Sequence, residues 1–114
     1  MGYGSTLNVP LPAGTDEDTI VEIYEEKFRE AATEFKPDFV LISAGFDAHR
    51  NDLLGGLGMS EEGFAQISWI VKAVAERCCE GRIISVLEGG YNLDALSRSV
   101  EAHIRVLAQK TKKE

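Results

Sequence analysis

The sequence predicts an α/β fold in which two parallel strands are joined through a helix. Two short apolar runs, Phe39–Ser43 and Ile83–Leu87, have the length and composition of strands buried on both faces of a parallel sheet. Before, between and after these runs, apolar residues recur at spacings of three and four, as on one face of a helix. The predicted order is helix–strand–helix–strand–helix, with a right-handed βαβ unit at its centre.

The first helix is predicted to begin at Thr15, a capping residue that acidic residues follow in the first turn. Pro37 ends it, since proline lacks the backbone donor that a helix needs. The segment Leu7–Pro12 is extended, because each of its prolines disfavours helical geometry at the residue before it. The apolar stripe of this helix, about five turns long, contains Ile20, Tyr24, Phe28, Ala31 and Phe35.

The second helix is predicted between a Ser60 cap and an exit at Gly81. Its buried face is predicted to contain Phe64, Ile67, Ile70, Val71, Val74 and Cys78, with Trp69 near the edge. The irregular stretch Ala44 to Met59 precedes it, and connections of that length are typically functional or disordered. Adjacent Cys78 and Cys79 fit neither a metal motif nor a disulfide framework, so reduced thiols are expected.

The third helix is predicted to begin after Asn92, a capping residue. Its apolar stripe contains Leu93, Leu96, Val100, Ile104 and Leu107. The polar tail Lys110–Glu114 is expected to fray.

The carboxyl ends of parallel strands share one edge of the sheet, which is where chemistry collects in such folds. The sequence therefore predicts that Asp47 and Tyr91 lie on one edge. Asp47 is interpreted either as a loop-stabilising residue, or as an acid–base group or metal ligand. Gly89 and Gly90 either aim the Tyr91 hydroxyl over the edge or form an anion site at the helix N-terminus, unless Tyr91 only packs.

Two histidines are further candidates for metal binding. His49 follows Asp47 at a spacing that lets both side chains share one side of an extended segment, although the polar run after it is typical of solvated loops. His103 lies beside the stripe of the third helix and is interpreted as a partly buried structural residue. No serine or cysteine has an obvious base beside it, so a catalytic triad is not supported.

Composition excludes some classes of function. A formal net charge of −7 argues against a nucleic-acid binder that relies on a positive field. No apolar stretch approaches the length of a membrane span, and the N-terminus lacks an export signal, so the cytoplasm is expected. Two strands buried on both faces need neighbours, which predicts either a segment of a longer protein or pairing with a second copy.

Three linked motifs, Leu7–Pro12, Lys36–His49 and Val86–Leu93, resemble the C-terminal third of the zinc-dependent deacetylases. That family groups histone deacetylases, acetylpolyamine amidohydrolases and acetoin-utilisation deacetylases. The resemblance implies the arginase/deacetylase fold, a three-layer α/β sandwich with a largely parallel sheet and helices on both faces. It also implies that residues 1–114 form the C-terminal segment of a domain and not a complete domain.

The resemblance assigns roles to individual residues. Asp47 matches the last of three zinc ligands, and Tyr91 matches the tyrosine that donates to the substrate carbonyl and then to the tetrahedral oxyanion. Gly89 and Gly90 would line the site, and Leu54 would lie near the wall of the acyl-lysine channel. His49 would not be a ligand.

The remaining parts of the family's site have no counterpart in Met1–Lys36. These are the aspartate–histidine pair that completes the zinc site and the histidine pair that moves protons. The resemblance therefore implies an intact zinc enzyme that hydrolyses acylated amines such as N-ε-acetyl-lysine or acetylpolyamines, whereas the chain alone is expected to be inactive and without zinc. A self-associating non-catalytic fragment and an unrelated anion-binding module remain as alternatives.

Overall fold

The computed structural model describes residues 6–47, 49 and 58–109. Its elements follow the predicted order, with the first helix divided by a π-helical segment. They are α1 (Glu17–Ile23), the π segment (Tyr24–Phe28), α2 (Arg29–Phe35), β1 (Val40–Gly45), α3 (Glu61–Cys79), β2 (Ile83–Gly89) and α4 (Leu93–Ala108).

The two strands pair in parallel, as predicted, in register from Val40 opposite Ile83 to Ala44 opposite Leu87. An irregularity then brings Gly45 opposite Gly89, so both strands run two residues further than the sequence predicted. β1 also begins one residue later, at Val40.

The prediction that both strand faces are buried is wrong for the described part of the chain. One face packs against the helices, and alternate residues on the other are exposed, with Leu41 at 74%, Ile84 at 49% and Val86 at 55%. The described sheet has two strands, and no described element covers this second face. Exposed apolar residues on a short parallel sheet indicate that this face needs a further layer.

The first helix differs from its prediction at both ends. Asp16, and not Thr15, caps it: the Asp16 carboxylate accepts the Thr19 N–H at 2.9 Å, while Thr15 Oγ1 donates to Pro12 O at 2.6 Å. The helix ends at Phe35 with Lys36 in the left-handed conformation, just before Pro37. Phe35, at the end of the predicted stripe, is 69% exposed and lines an open cleft beside α2 and β1.

The α3 prediction is largely confirmed. Ser60 Oγ accepts the Gly63 N–H, and Ser60 also donates its N–H and hydroxyl to Glu17 Oε1 at 2.7 and 2.5 Å, which joins the starts of α1 and α3. Both cysteines are free, but Cys79 is the buried one and Cys78 is only partly covered. The predicted core residues Phe64, Ile70, Val71 and Val74 are buried, and Ile67 packs against the core.

The predicted stripe of α4 is only partly correct: Leu96 and Val100 pack against the core as expected. Asn92 caps the helix as predicted, but Leu93 and Ile104 are 79% and 55% exposed. The buried face consists of Ala95, Ser99, His103 and Val106. A polar serine and histidine therefore take core positions that periodicity of apolar residues alone assigned to leucine and isoleucine.

Candidate functional site

The paired glycines at the ends of the strands gather the predicted site at one edge. Gly45 lies opposite Gly89, and the Phe46 N–H donates to Gly89 O at 2.8 Å. Asp47 lies two residues after Gly45, and Tyr91 lies two residues after Gly89. The chain therefore carries a carboxylate just past the end of β1 and a phenol just past the end of β2, on the same edge of the sheet.

Asp47 sits in a tight turn directly after β1. The turn is closed by the His49 N–H, which donates to Phe46 O at 3.3 Å. Asp47 is partly buried, and its Oδ1 lies 3.3 Å from the position that a Cβ on Gly45 would take. The carboxylate thus folds back over Gly45, the last residue of β1. A side chain at position 45 would crowd the carboxylate, whereas glycine does not.

Tyr91 has a corresponding arrangement on the neighbouring strand. Its side chain is 60% exposed, and its hydroxyl lies 3.6 Å from the position that a Cβ on Gly89 would take. The ring therefore lies back over the end of β2 and remains accessible at the edge.

Gly90 connects these two parts of the site. Its φ of +142° is a conformation that residues with a side chain rarely adopt. An added Cβ would lie 2.6 Å from Leu96 Cδ1 and 3.4 Å from Phe46 Cβ. The turn before α4 consequently packs directly on the residue that precedes Asp47.

We expect Gly90→Ala to destabilise the chain by about 1–3 kcal/mol, because alanine at this φ is strained and crowds Leu96. Urea unfolding measures the loss. Gly89→Ala is the matched control, since Gly89 lacks a positive φ and an added Cβ would make only ordinary contacts with Tyr91. Equal stability of the two variants would contradict the strain argument.

His49 is fully buried, at 1% exposure, although the sequence placed it at the start of a polar run. Its Nε2 contacts Glu61 Oε2, and its ring stacks on Phe64. The hydrogen bond from His49, with a smaller contribution from the charge of Arg98, holds the pKa of Glu61 below its usual range. No local signal in the sequence indicated that Glu61 would pair with this histidine.

His103 occupies a structural position, as predicted. Its Nδ1 lies 2.7 Å from Ser68 Oγ and its Nε2 lies 2.8 Å from Ser85 Oγ. Ser68 Oγ also donates to Phe64 O at 2.7 Å, so Ser68 accepts from Nδ1–H and Ser85 donates to Nε2. Burial lowers the pKa of His103, which agrees with a neutral ring held between two hydroxyls.

Lys72 is another buried polar residue that the sequence analysis missed. Its ammonium group donates to Val106 O at 3.0 Å and also contacts Gln109 O and the Trp69 ring. It therefore satisfies carbonyl groups at the C-terminal end of α4, where a positive charge is favourable.

The described residues do not assemble a complete metal site. Within residues 6–47, 49 and 58–109, no group of three or more histidine, cysteine, aspartate or glutamate side chains is placed to hold a metal ion. Leu54, the predicted channel residue, lies outside the described residues. Asp47 is the one predicted ligand that this part of the chain brings to the edge.

The N-terminus of α4 does not favour the alternative that this end of the helix binds an anion. The Asn92 side chain already accepts the Ala95 N–H at 2.9 Å, and Asp94 places a negative charge in the first turn. Both features oppose an anion at that position.

In the same described part of the chain, none of the helices combines the length and apolar character that a membrane span requires.

The parallel strands and the groups at their carboxyl ends define an α/β protein, and comparisons with known proteins identify its fold class as that of the deacetylases. The family model of the histone deacetylase domain matches residues 1–107. The chain therefore belongs to the histone deacetylase family.

Two relatives show how much of the family's length is present. Histone deacetylase 14, chloroplastic, of Arabidopsis thaliana is 42% identical over 93% of this chain and 25% of its own length. A probable deacetylase of Archaeoglobus fulgidus is 40% identical over 82% of this chain and 26% of its own length. The chain thus spans about a quarter of these relatives.

Solved structures confirm the fold. The HDA15 HD domain superposes with a TM-score of 0.83 at 36% identity. The match covers 91% of this chain and 29% of the HDA15 chain. An acetylpolyamine aminohydrolase from Burkholderia pseudomallei gives a TM-score of 0.79 at 25% identity, over 93% of this chain and 29% of its own.

Proposed function

We propose that this chain is the C-terminal part of a zinc-dependent amidohydrolase that removes an acyl group, typically acetyl, from an amine. N-ε-acetyl-lysine and acetylpolyamines are the proposed substrate class. The pairing of Gly45 with Gly89 carries the proposal, because it brings Asp47 and Tyr91 to one sheet edge. Membership of the deacetylase family supports assigning catalytic roles to these two residues.

A catalytic zinc ion takes about three protein ligands and leaves one position open. The described residues supply one of these, the Asp47 carboxylate, so they do not fit a zinc centre by themselves. The proposal therefore requires further ligands from another part of the intact protein. Once held there, zinc would act as a Lewis acid toward the substrate carbonyl.

Tyr91 is proposed to act on the substrate oxygen. A phenol at an exposed edge can donate a hydrogen bond to an amide carbonyl, and this bond strengthens as negative charge develops on the oxygen. Gly89 and Gly90 line the approach to it. The close contact of Gly90 with Phe46 holds the Tyr91 segment against the turn that carries Asp47.

The remaining N-terminal part of the deacetylase domain is the proposed partner of the uncovered sheet face. This face, defined by Leu41, Ile84 and Val86, is apolar and exposed. Phe39 and Phe35 extend it along an open cleft of about 950 Å³ beside α2 and β1. A layer packed there would remove this apolar surface from water.

We expect the isolated chain to self-associate through this face, because burying apolar surface favours association. Sedimentation should show dimers or larger species, and Leu41→Lys combined with Val86→Lys should shift them toward monomer. Thr19→Lys is the control, since Thr19 is exposed on α1. A monomer that binds no hydrophobic dye would contradict the prediction.

The catalytic proposal is tested by comparing the isolated chain with a longer protein that contains it. We expect the isolated chain to deacetylate neither an acetyl-lysine peptide nor an acetylpolyamine and to hold no stoichiometric zinc, because three ligands are not present among its described residues. The longer protein should hold one zinc and turn over one of these substrates. One tightly bound zinc in the isolated chain would overturn the incomplete-site proposal.

The cytoplasm remains the proposed compartment. It stays a prediction, because two relatives, from Arabidopsis thaliana and Oryza sativa, carry names that place them in the chloroplast.

A further inference from the structure

The turn that carries Asp47 is held at both ends by one aromatic ring. Phe46 begins the turn and meets Phe64 edge-on, with 5.1 Å between ring centroids. His49 ends the turn and stacks on Phe64, with 6.5 Å between centroids and 17° between the planes. Asp47 lies between these two anchors, so its position depends on α3, the helix that carries Phe64.

The His49 side chain has a second anchor in the same helix. Its Nε2 contacts Glu61, the first residue of α3. The other oxygen of Glu61 lies 3.5 Å from Arg98 Nε of α4, and Arg98 also pairs with Asp94. A chain of contacts thus links the Asp47 turn to the first turns of two helices.

The backbone at His49 is held as well. Its N–H closes the turn onto Phe46 O, and His49 forms a parallel bridge with Met59, which is 1% exposed. A buried ring that is stacked and bonded to Glu61 does not present Nε2 toward the edge. His49 is therefore better suited to hold the turn than to bind a metal itself.

We propose that His49 is a positioning residue, which fixes the Asp47 carboxylate at the sheet edge through its contacts with Glu61 and Phe64. The effect on metal binding rests on the proposed function, in which Asp47 is a zinc ligand. Groups that orient a metal ligand typically change metal affinity about 10- to 100-fold when they are replaced.

Two substitutions separate the contacts of His49. His49→Phe keeps a ring that can stack on Phe64 but removes the group that meets Glu61. His49→Gln keeps a nitrogen donor near the place of Nε2 but removes the ring. In the longer protein, we expect His49→Phe to weaken zinc binding about 10- to 100-fold, with a smaller loss in His49→Gln. Competition with a chelator measures the affinity.

Stability alone must not explain this result. Ile70→Val removes a buried methyl group from the same helix without touching the Asp47 turn, and it serves as the control for general destabilisation. Unchanged zinc affinity in His49→Phe, or an equal loss in Ile70→Val, would overturn the proposed positioning role. Asp47→Ala provides the comparison: if it leaves zinc binding intact, the proposed function fails instead.

Amide hydrogen exchange tests the turn without any metal. In the chain itself, His49→Phe should reduce protection of the amide at position 49 at least about tenfold, because the closing hydrogen bond to Phe46 O loses its side-chain support. The Phe46 amide, which donates to Gly89 O, should keep its protection. Unaltered protection at position 49 would overturn the inference even if Asp47 proves to be a zinc ligand.

Discussion

In a longer protein that contains the remaining zinc ligands, Asp47→Ala is expected to abolish stoichiometric zinc binding and turnover. The carboxylate is one of about three protein ligands that a catalytic zinc requires, and its loss removes the several kcal/mol that the metal contributes to catalysis. A fall in kcat of roughly 10³-fold or more should accompany the loss of metal. Metal analysis of the purified variant, with a deacetylation assay, checks both parts.

Asp38→Ala is the matched control for this experiment. Asp38 is exposed and precedes β1, at the opposite end of the strand from Asp47. Its backbone carbonyl accepts from Arg82 Nε at 3.0 Å, a contact that the substitution leaves in place. If Asp47→Ala retained one zinc per chain, Asp47 would not be the ligand that the proposal requires.

Tyr91→Phe is expected to keep the metal and lose most turnover, with kcat lower by about 10²–10³-fold. The substitution removes only a hydroxyl from a side chain that is 60% exposed, so the fold should be unaffected. The lost hydrogen bond acts mainly when charge develops on the substrate oxygen, as for a single oxyanion-hole donor. Steady-state kinetics together with zinc content separates this effect from loss of the metal.

Tyr24→Phe provides the comparison for the tyrosine prediction. Tyr24 begins the π segment and packs against the core, on a different element from the turn that carries Tyr91. It should retain full turnover. Full kcat in Tyr91→Phe would show that this hydroxyl has no part in the reaction, whatever the zinc content.

Local signals predicted most of the secondary structure correctly. Ser60 and Asn92 cap α3 and α4 because a short polar side chain can reach an N–H three residues ahead, which depends only on neighbouring residues. Thr15 failed as the predicted cap since Asp16, the next residue, accepts the Thr19 N–H. Two adjacent capping residues are not distinguished by type alone.

Packing decided what local patterns could not. His103 bonds to Ser68 and Ser85, which lie on different elements, and this polar set occupies the buried face of α4. Counting only apolar residues as core consequently assigned Leu93 and Ile104 to the wrong side of the helix. The sequence predicted that the strands need neighbours, but it did not show that one face of the sheet is open in this chain, because an apolar strand sequence is the same whether or not a second layer is present.

By itself, the sequence determined the order of the elements and the placement of Asp47 and Tyr91 at the same edge of the sheet. Breakers, caps and apolar runs act locally, and parallel strands must end on the same side. Only the tertiary structure decided how that edge is held. His49 contacts Glu61 and Phe64, and Gly90 lies close to Phe46. These contacts depend on how the helices pack on the sheet, which the spacing of residues along the chain does not encode.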